Sequence, residues 1–286
     1  MINFRFFNSK YDSILHSIVN PIEKYLPQEK YTKGYQDTSG ETHVSFFTED
    51  RPHYGIFQCH GMACKNYHTA KIVQDYDHIL VTGDTWKQKY IDEGIPESKI
   101  FVNGWSKLDP IFNGEIIKTP NDKITVLFAP THVAIFEVSL FPHAHEILKM
   151  IPNTYNVIMS EHPAIKANNK PTLQFLADAD IVISDSSSII YEAWSLGKRV
   201  IFLDWIVKEG IEQIFSGSFE DYIYKNNIGL HAQSKEHFWD LLDYASKYHL
   251  DCKTEDFIEG IFPRRLRGNS GKITAEILLQ LDMEKT

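Results

Sequence analysis

The sequence predicts an α/β protein built from two small, doubly wound parallel-sheet domains that face each other across a cleft. Three observations predict it. Short apolar runs alternate with helical patterns, which is typical of βαβ units and parallel sheets. A polar segment divides that alternation into two parts, and the 286 residues are enough for two domains of ~100–150 residues each.

Seven apolar runs have the length and character of parallel strands that helices cover on both faces. They are residues 55–58, 78–81, 100–102, 124–128, 155–159, 181–183 and 199–203. Helical patterns follow at residues 85–93, 141–150 and 187–196, and residues 272–283 are expected to form a last amphipathic helix.

The polar stretch 118–122 contains Pro120 and lies between two complete α/β patterns. It predicts a first domain of residues 1–118 and a second of residues 119–286, with the last helix packing back on the first domain as one option. Ligands of doubly wound sheets bind beyond the carboxyl ends of the strands. A ligand is therefore expected between the two domains.

Composition narrows the class of protein. The formal net charge of -9 argues against a nucleic-acid-binding body, which needs a basic face. The odd count of three cysteines predicts no disulfide framework and a reducing compartment. No apolar run reaches ~18 residues, so a cytoplasmic protein is expected, with peripheral contact at the inner face of the membrane left open.

The most informative segment is residues 181–197. A buried strand is followed by Asp185 and by Ser186, Ser187 and Ser188, and a helix is expected to begin near Ser187 and to end at Gly197. Serines at a helix start cap free backbone N–H groups, and such a helix end attracts anions. The segment therefore predicts a binding site for a diphosphate.

Glu192 lies four residues after Ser188, on the same face of the expected helix. A carboxylate one turn below bound phosphates can accept hydrogen bonds from the two ribose hydroxyls of a nucleotide. The alternative is a capped helix that carries a solvated glutamate.

Two further loops carry histidines at strand ends. His60 precedes Gly61, and an imidazole there can act as a general base that takes a proton from an attacking hydroxyl. The alternative is a loop histidine that only hydrogen-bonds the backbone. His162 precedes Pro163, which holds it in an extended conformation, and it could neutralise a leaving diphosphate.

The loop after the run 124–128 adds Thr131 and His132 as candidates to line the donor pocket.

A metal site is not expected. Cys59, His60 and Cys64 lie close together in the sequence, but no CxxC pair, HExxH motif or acidic DxD pair is present. The serines and the helix dipole would then neutralise the phosphates.

Together these motifs resemble the CDP-glycerol glycerophosphotransferase family, the teichoic-acid polymerase and primase group. The resemblance spans residues 55–279. Its motifs, in family order, are His60-Gly61 with Lys65, the blocks 76–83 and 94–104, Ala129-Pro130-Thr131, His162-Pro163, Asp185-Ser186-Ser187-Ser188, and Arg267-Gly268-Asn269-Ser270.

The resemblance implies a GT-B fold and metal-free transfer of glycerol phosphate from CDP-glycerol to a hydroxyl of a polymer or glycolipid, in teichoic-acid or capsule synthesis. It implies that His60 is the base and that His162 assists at the phosphates. It also implies that Ser187 and Ser188 grip the diphosphate. The other candidates for donor binding are Asp185, Ser186, Glu192, Thr131, His132, Gly61 and Lys65.

Two alternatives remain. The segment 185–197 is also similar to the DSGGIQEEAxxxG segment of hydrolysing UDP-sugar 2-epimerases, so an epimerase or a nucleotide-sugar glycosyltransferase would keep the fold and change the reaction. Serines stand where that segment has glycines. The second alternative is a non-catalytic protein of the same fold that binds a nucleotide or a partner.

Overall fold

The computed structural model describes residues 1–6, 9–35, 41–48, 54–66, 68–131, 138–160 and 172–284. Contacts divide the chain into two compact units. The first comprises Met1–Met62, Tyr67–Glu115 and Glu259–Thr286, and the second comprises Ala63–Asn66 and Ile116–Ile258.

The first unit contains a parallel sheet of six strands in the order β2-β1-β3-β4-β5-β6. The strands are β1 (Ile2–Arg5), β2 (Tyr31–Gly34), β3 (Thr42–Ser45), β4 (Ile56–Gln58), β5 (His78–Val81) and β6 (Ile100–Val102). Its helices are α1 (Asp12–Glu23), α2 (Ala70–Val73), α3 (Asp84–Asp92), α4 (Asp109–Phe112) and, from the end of the chain, α12 (Ser270–Glu284).

The second unit contains a parallel sheet of five strands in the order β11-β10-β9-β7-β8. The strands are β7 (Thr125–Phe128), β8 (Asn156–Met159), β9 (Ile181–Ile183), β10 (Arg199–Leu203) and β11 (Leu230–Ala232). The helices from α5 to α10 are Ala144–Met150, Thr172–Asp178, Ile189–Ser195, Asp204–Ile214, Phe219–Lys225 and Lys235–Lys247, and α11 (Cys252–Ile261) begins in this unit and continues past its last residue, Ile258.

The predicted fold class is confirmed, since both sheets are parallel and alternate with helices. All seven predicted strands are present, and β1, β2, β3 and β11 are additional. Within the described residues, no helix is both long enough and apolar enough to cross a membrane.

The strand order of the second sheet defines where a ligand should bind. From β7 the chain goes to β8 on one side and then returns to β9 on the other side of β7. The loops that leave β7 and β9 therefore diverge, and open α/β sheets bind ligands at the carboxyl ends of strands at such a switch point.

In the first unit, Asp109 anchors the start of α12. Its buried carboxylate accepts hydrogen bonds from the backbone N–H groups of Gly271, at 2.7 Å, and Ser270, at 3.3 Å. Gly104 lies against the same turn with φ +81, and a Cβ there would come within 2.3 Å of the Ser270 hydroxyl. Burial raises the pKa of Asp109 to about 6, although these backbone donors lower it.

We predict that Asp109 makes the protein less stable as pH rises from about 4 to about 6. Folded Asp109 binds its proton more tightly than the unfolded chain does, so the native state holds more protons in this window and the free energy of unfolding falls with pH. The contribution is up to about 3 kcal/mol, since each pKa unit is worth about 1.4 kcal/mol.

Urea denaturation across this pH range measures the effect. In Asp109→Asn the pH dependence should flatten, because the side chain no longer titrates. An unchanged slope in this variant would assign the pH dependence to other groups.

Candidate functional site

Asp185 organises the carboxyl edge of the second sheet. It follows β9, is 0% exposed, and accepts backbone N–H groups from Thr131 at 3.0 Å, Leu140 at 2.9 Å and Ser186 at 2.5 Å. Burial raises the pKa of Asp185, while the three backbone donors and the charge of Lys65 lower it. Its carboxylate therefore positions the loops after β7 and β9, at the switch point.

The serines after Asp185 differ from the sequence prediction in one respect. Helix α7 begins at Ile189, and its N-cap residue Ser188 makes no side-chain cap hydrogen bond. The serine capping expected at the helix start does not occur at Ser188, because its Oγ instead accepts the backbone N–H of Ala63 at 3.2 Å. Gly197 ends the helix as predicted, with φ +71 at the position after the C-cap.

The side chains of the other two serines differ in exposure. Ser186 is fully buried, and its Oγ has no hydrogen-bond partner within the described structure. Ser187 is half-buried, and its backbone carbonyl accepts the N–H of Ile190 at 3.1 Å.

Segment 63–66 belongs to the second unit and is held there by Glu220 on α9. The Glu220 carboxylate is 0% exposed and accepts the N–H of Cys64 at 3.0 Å and that of Lys65 at 2.7 Å. It also accepts the hydroxyl of Tyr191 at 2.5 Å. Burial and the Glu220 charge raise the pKa of Tyr191, so the phenol keeps its proton and donates.

Lys65 brings a cation to the Asp185 edge. Its Nζ donates to the hydroxyl of Thr131 at 3.3 Å and lies 6.0 Å from the ring centroid of Phe215. Burial lowers the pKa of Lys65, and the negative charges of Asp185 and Glu220 raise it. The structure thus brings together Lys65, Thr131 and Asp185, which the sequence analysis named separately.

Glu192 lies on α7, and its backbone N–H bonds to the carbonyl of Ser188 at 3.2 Å, as the predicted helical spacing requires. Its side chain is 1% exposed, so the alternative of a solvated glutamate is wrong. His132 and His162, the remaining candidates for the second unit, lie outside the described residues.

His60 lies in the first unit, after β4, next to buried Gly61. Its Nδ1 is 3.1 Å from the carbonyl oxygen of Phe46, and its ring stacks on Phe47 with 4.1 Å between centroids. These contacts fix the imidazole. Donation from Nδ1 to the carbonyl leaves Nε2 with a lone pair.

His68 faces His60 edge-on, with 6.0 Å between ring centroids. Burial, together with the neighbouring His60, lowers the pKa of His68 to about 3. Cys59, His60 and His68 each place a possible metal-ligand atom within 4.8 Å of the others. The third member of this cluster is His68, whereas the sequence analysis had considered Cys64.

Sequence reasoning missed Glu220, Tyr191 and His68. Glu220 and Tyr191 are 29 residues apart and meet Cys64 only in the folded unit. One local signal was present in the sequence: Glu220 is an acidic residue two positions after Ser218, the N-cap of α9, which is a pattern typical of a helix start.

Several solved structures are similar to this chain. A structure of the wall teichoic acid polymerase TagF with CDPG matches with a TM-score of 0.70 at 14% identity, over 99% of this chain and 89% of that chain. UDP-GlcNAc 2-epimerase from Neisseria meningitidis bound to UDP-GlcNAc matches with a TM-score of 0.55 at 14% identity, over 98% of this chain and 100% of that chain.

The S. aureus MnaA-UDP co-structure matches with a TM-score of 0.55 at 10% identity, over 99% of this chain and 97% of that chain. No family model and no curated protein matches the sequence. The structural matches show the fold, which is of the GT-B kind. They confirm, at the level of fold, the resemblance that the motifs predicted.

We predict that Glu220→Gln lowers the free energy of unfolding by about 1–3 kcal/mol, because an amide nitrogen would face a buried N–H donor and leave it unpaired. Urea denaturation measures the change. The matched control is Glu209→Gln, an exposed residue of α8, which should stay within about 0.5 kcal/mol of the unchanged protein. Equal effects of the two substitutions would contradict the anchoring role.

Proposed function

We propose that this chain is a GT-B transferase that moves glycerol phosphate, or a related polyol phosphate, from a CDP-activated donor to a hydroxyl acceptor in cell-surface polymer synthesis. One observation carries the proposal. The ammonium of Lys65 and the hydroxyl of Thr131 are paired at the switch point of the second sheet, beside the Asp185 loop.

This arrangement suits an anionic donor. An ammonium and a hydroxyl at the carboxyl edge supply a charge and donors for phosphate oxygens. Ser187 and Ser188, half-buried in the same loop, add hydroxyls. The motif resemblance to the CDP-glycerol glycerophosphotransferase family favours a CDP-activated donor over other nucleotide donors, and the structure of TagF with CDPG shows that the shared fold accommodates such a donor in that protein.

In the proposed reaction the acceptor oxygen attacks the phosphorus that carries the polyol. The new bond joins the acceptor oxygen to that phosphorus, and the bond from phosphorus to the bridging oxygen of CMP breaks. Nε2 of His60 takes the hydroxyl proton, a role that its lone pair suits. CMP leaves with the bonding electrons, and Lys65 neutralises its charge.

We predict that Lys65→Gln weakens binding of CDP-glycerol by about 10- to 150-fold, the equivalent of about 1.5–3 kcal/mol for a hydrogen bond to a charged group. In the unchanged protein, affinity should fall with rising pH before the ordinary lysine pKa of 10.5, because burial lowers the pKa of Lys65. Isothermal titration calorimetry measures both effects.

The control is Lys225→Gln, a lysine of α9 whose side chain is 51% exposed and pairs with Asp221. It should bind CDP-glycerol as the unchanged protein does. Full affinity in Lys65→Gln would remove Lys65 from the donor site.

We predict that His60→Ala lowers the rate of CMP release from CDP-glycerol by about 10²- to 10⁴-fold while donor affinity is kept, because the variant lacks the general base. Chromatographic quantification of CMP measures the rate, and calorimetry measures the affinity. The control is His249→Ala, an exposed histidine of the second unit. A fully active His60→Ala variant would refute the base assignment.

A parallel assay with UDP-GlcNAc tests the alternatives. Turnover of UDP-GlcNAc without CMP release from CDP-glycerol would favour an epimerase or a nucleotide-sugar glycosyltransferase. Binding of nucleotide without turnover of either donor would favour the non-catalytic alternative.

A further inference from the structure

The strongest feature outside the carboxyl edge of the second sheet is the cluster of Cys59, His60 and His68, which we call the thiol–imidazole cluster. All three residues belong to the first unit. Their ligand atoms lie within 4.8 Å of one another. In a tetrahedral zinc site the ligand atoms are about 3.3–3.6 Å apart, given Zn–N bonds of about 2.0–2.1 Å and Zn–S bonds of about 2.3 Å. Each pair therefore needs to approach by at most about 1.5 Å, which rotation of the Cys59 and His68 side chains toward the fixed His60 ring can supply.

His60 is already oriented as metal-binding histidines are. Such histidines usually donate one ring N–H to a backbone carbonyl or a carboxylate, which fixes the tautomer and directs the other nitrogen to the metal. Nδ1 of His60 has the Phe46 carbonyl at 3.1 Å, and stacking on Phe47 limits rotation of the ring.

His68 supplies an independent observation. Its side chain is 7% exposed, and its Nδ1 is buried with no hydrogen-bond partner within the described structure. The hydroxyl of Tyr90 binds the backbone carbonyl of His68 at 2.9 Å and so fixes its position. A buried polar atom without a partner costs about 1–3 kcal/mol, which favours a ligand that can use the ring.

We propose that the thiol–imidazole cluster binds a divalent ion of the zinc class, with Cys59 as the thiolate ligand and His60 and His68 as the imidazole ligands. Thiolate and imidazole ligands favour zinc over the hard ions magnesium and calcium. Cys59 forms no disulfide and is half-buried, so the ion has access from its side of the cluster. Three protein ligands leave the fourth position of a tetrahedral site for water or a ligand.

Metal binding has a consequence for the reaction, and this step rests on the proposed function. Coordination occupies Nε2 of His60, the atom that takes the proton from the acceptor hydroxyl. The metal-loaded protein therefore lacks its base, and zinc acts as a reversible inhibitor of transfer.

Titration with Co²⁺ tests the site without any substrate. The tag-free protein is first stripped with a chelator. We expect one Co²⁺ per chain, a thiolate-to-cobalt charge-transfer band, and loss of the cobalt spectrum when one equivalent of Zn²⁺ is added. The band should be lost in Cys59→Ser, and His68→Gln should weaken Co²⁺ binding at least tenfold.

Cys64→Ser and Cys252→Ser are the matched controls and should keep the band, because neither thiol belongs to the cluster. Cys59 is half-buried, so Cys59→Ser should fold even if the buried substitution His68→Gln does not. The absence of a charge-transfer band in the unchanged protein, or its persistence in Cys59→Ser, would overturn the proposal.

The second arm uses the transfer assay. The Zn²⁺ concentration that halves CMP release should match the dissociation constant from the cobalt competition, and a chelator should restore the rate. Zinc binding without inhibition would keep the metal site and refute His60 as the base. If the unchanged protein does not turn over CDP-glycerol, the proposed function is contradicted, and the cobalt titration still decides whether the metal site exists.

Discussion

The buried carboxylate of Asp185 is the constraint on which the carboxyl edge of the second sheet depends. A charge without access to water is tolerated only when hydrogen bonds compensate its lost hydration. The backbone donors at Thr131, Leu140 and Ser186 supply that compensation, and they come from the loop after β7, the approach to α5 and the loop after β9. Because all three donors converge on one side chain, this carboxylate fixes the relative positions of Thr131, Leu140 and Ser186.

Glu220 imposes a second constraint of the same kind on the segment 63–66. Lys65 and Asn66 have φ values of 41 and 57, a left-handed conformation that is uncommon for residues other than glycine. Such conformations persist where the surroundings over-determine them, and they cluster at functional sites. The two N–H bonds to Glu220 hold the turn, and the turn directs the Lys65 ammonium to Thr131. The left-handed conformation of this turn and the position of the Lys65 ammonium therefore have the same cause, the two hydrogen bonds to Glu220.

The sequence predicted what local patterns encode. The central strand β9 is apolar at all three positions, because helices cover both faces of a parallel sheet. Strand β2 at the edge of the first sheet is half-exposed and mostly polar, and β3 has Val44 as its one apolar residue, so neither strand contains an apolar run. The Asp185 loop could also be predicted from the sequence, because it follows the apolar strand β9. Glu220 and Cys64 are 156 residues apart in the sequence, so the hydrogen bond between them produces no periodic pattern and only the fold reveals it.

His60 illustrates why a site residue found by pattern still needs its surroundings. The Phe46 carbonyl fixes the tautomer, and this one contact prepares Nε2 equally for a proton and for a metal ion. A single lone pair serves only one of them at a time. The two uses differ in which neighbouring side chains the imidazole requires. A base needs only an acceptor hydroxyl within reach, whereas a zinc ion needs Cys59 and His68 as well. Under the two proposals together, the neighbours of the base also provide the site of its inhibition, and metal availability would decide which chemistry this nitrogen performs.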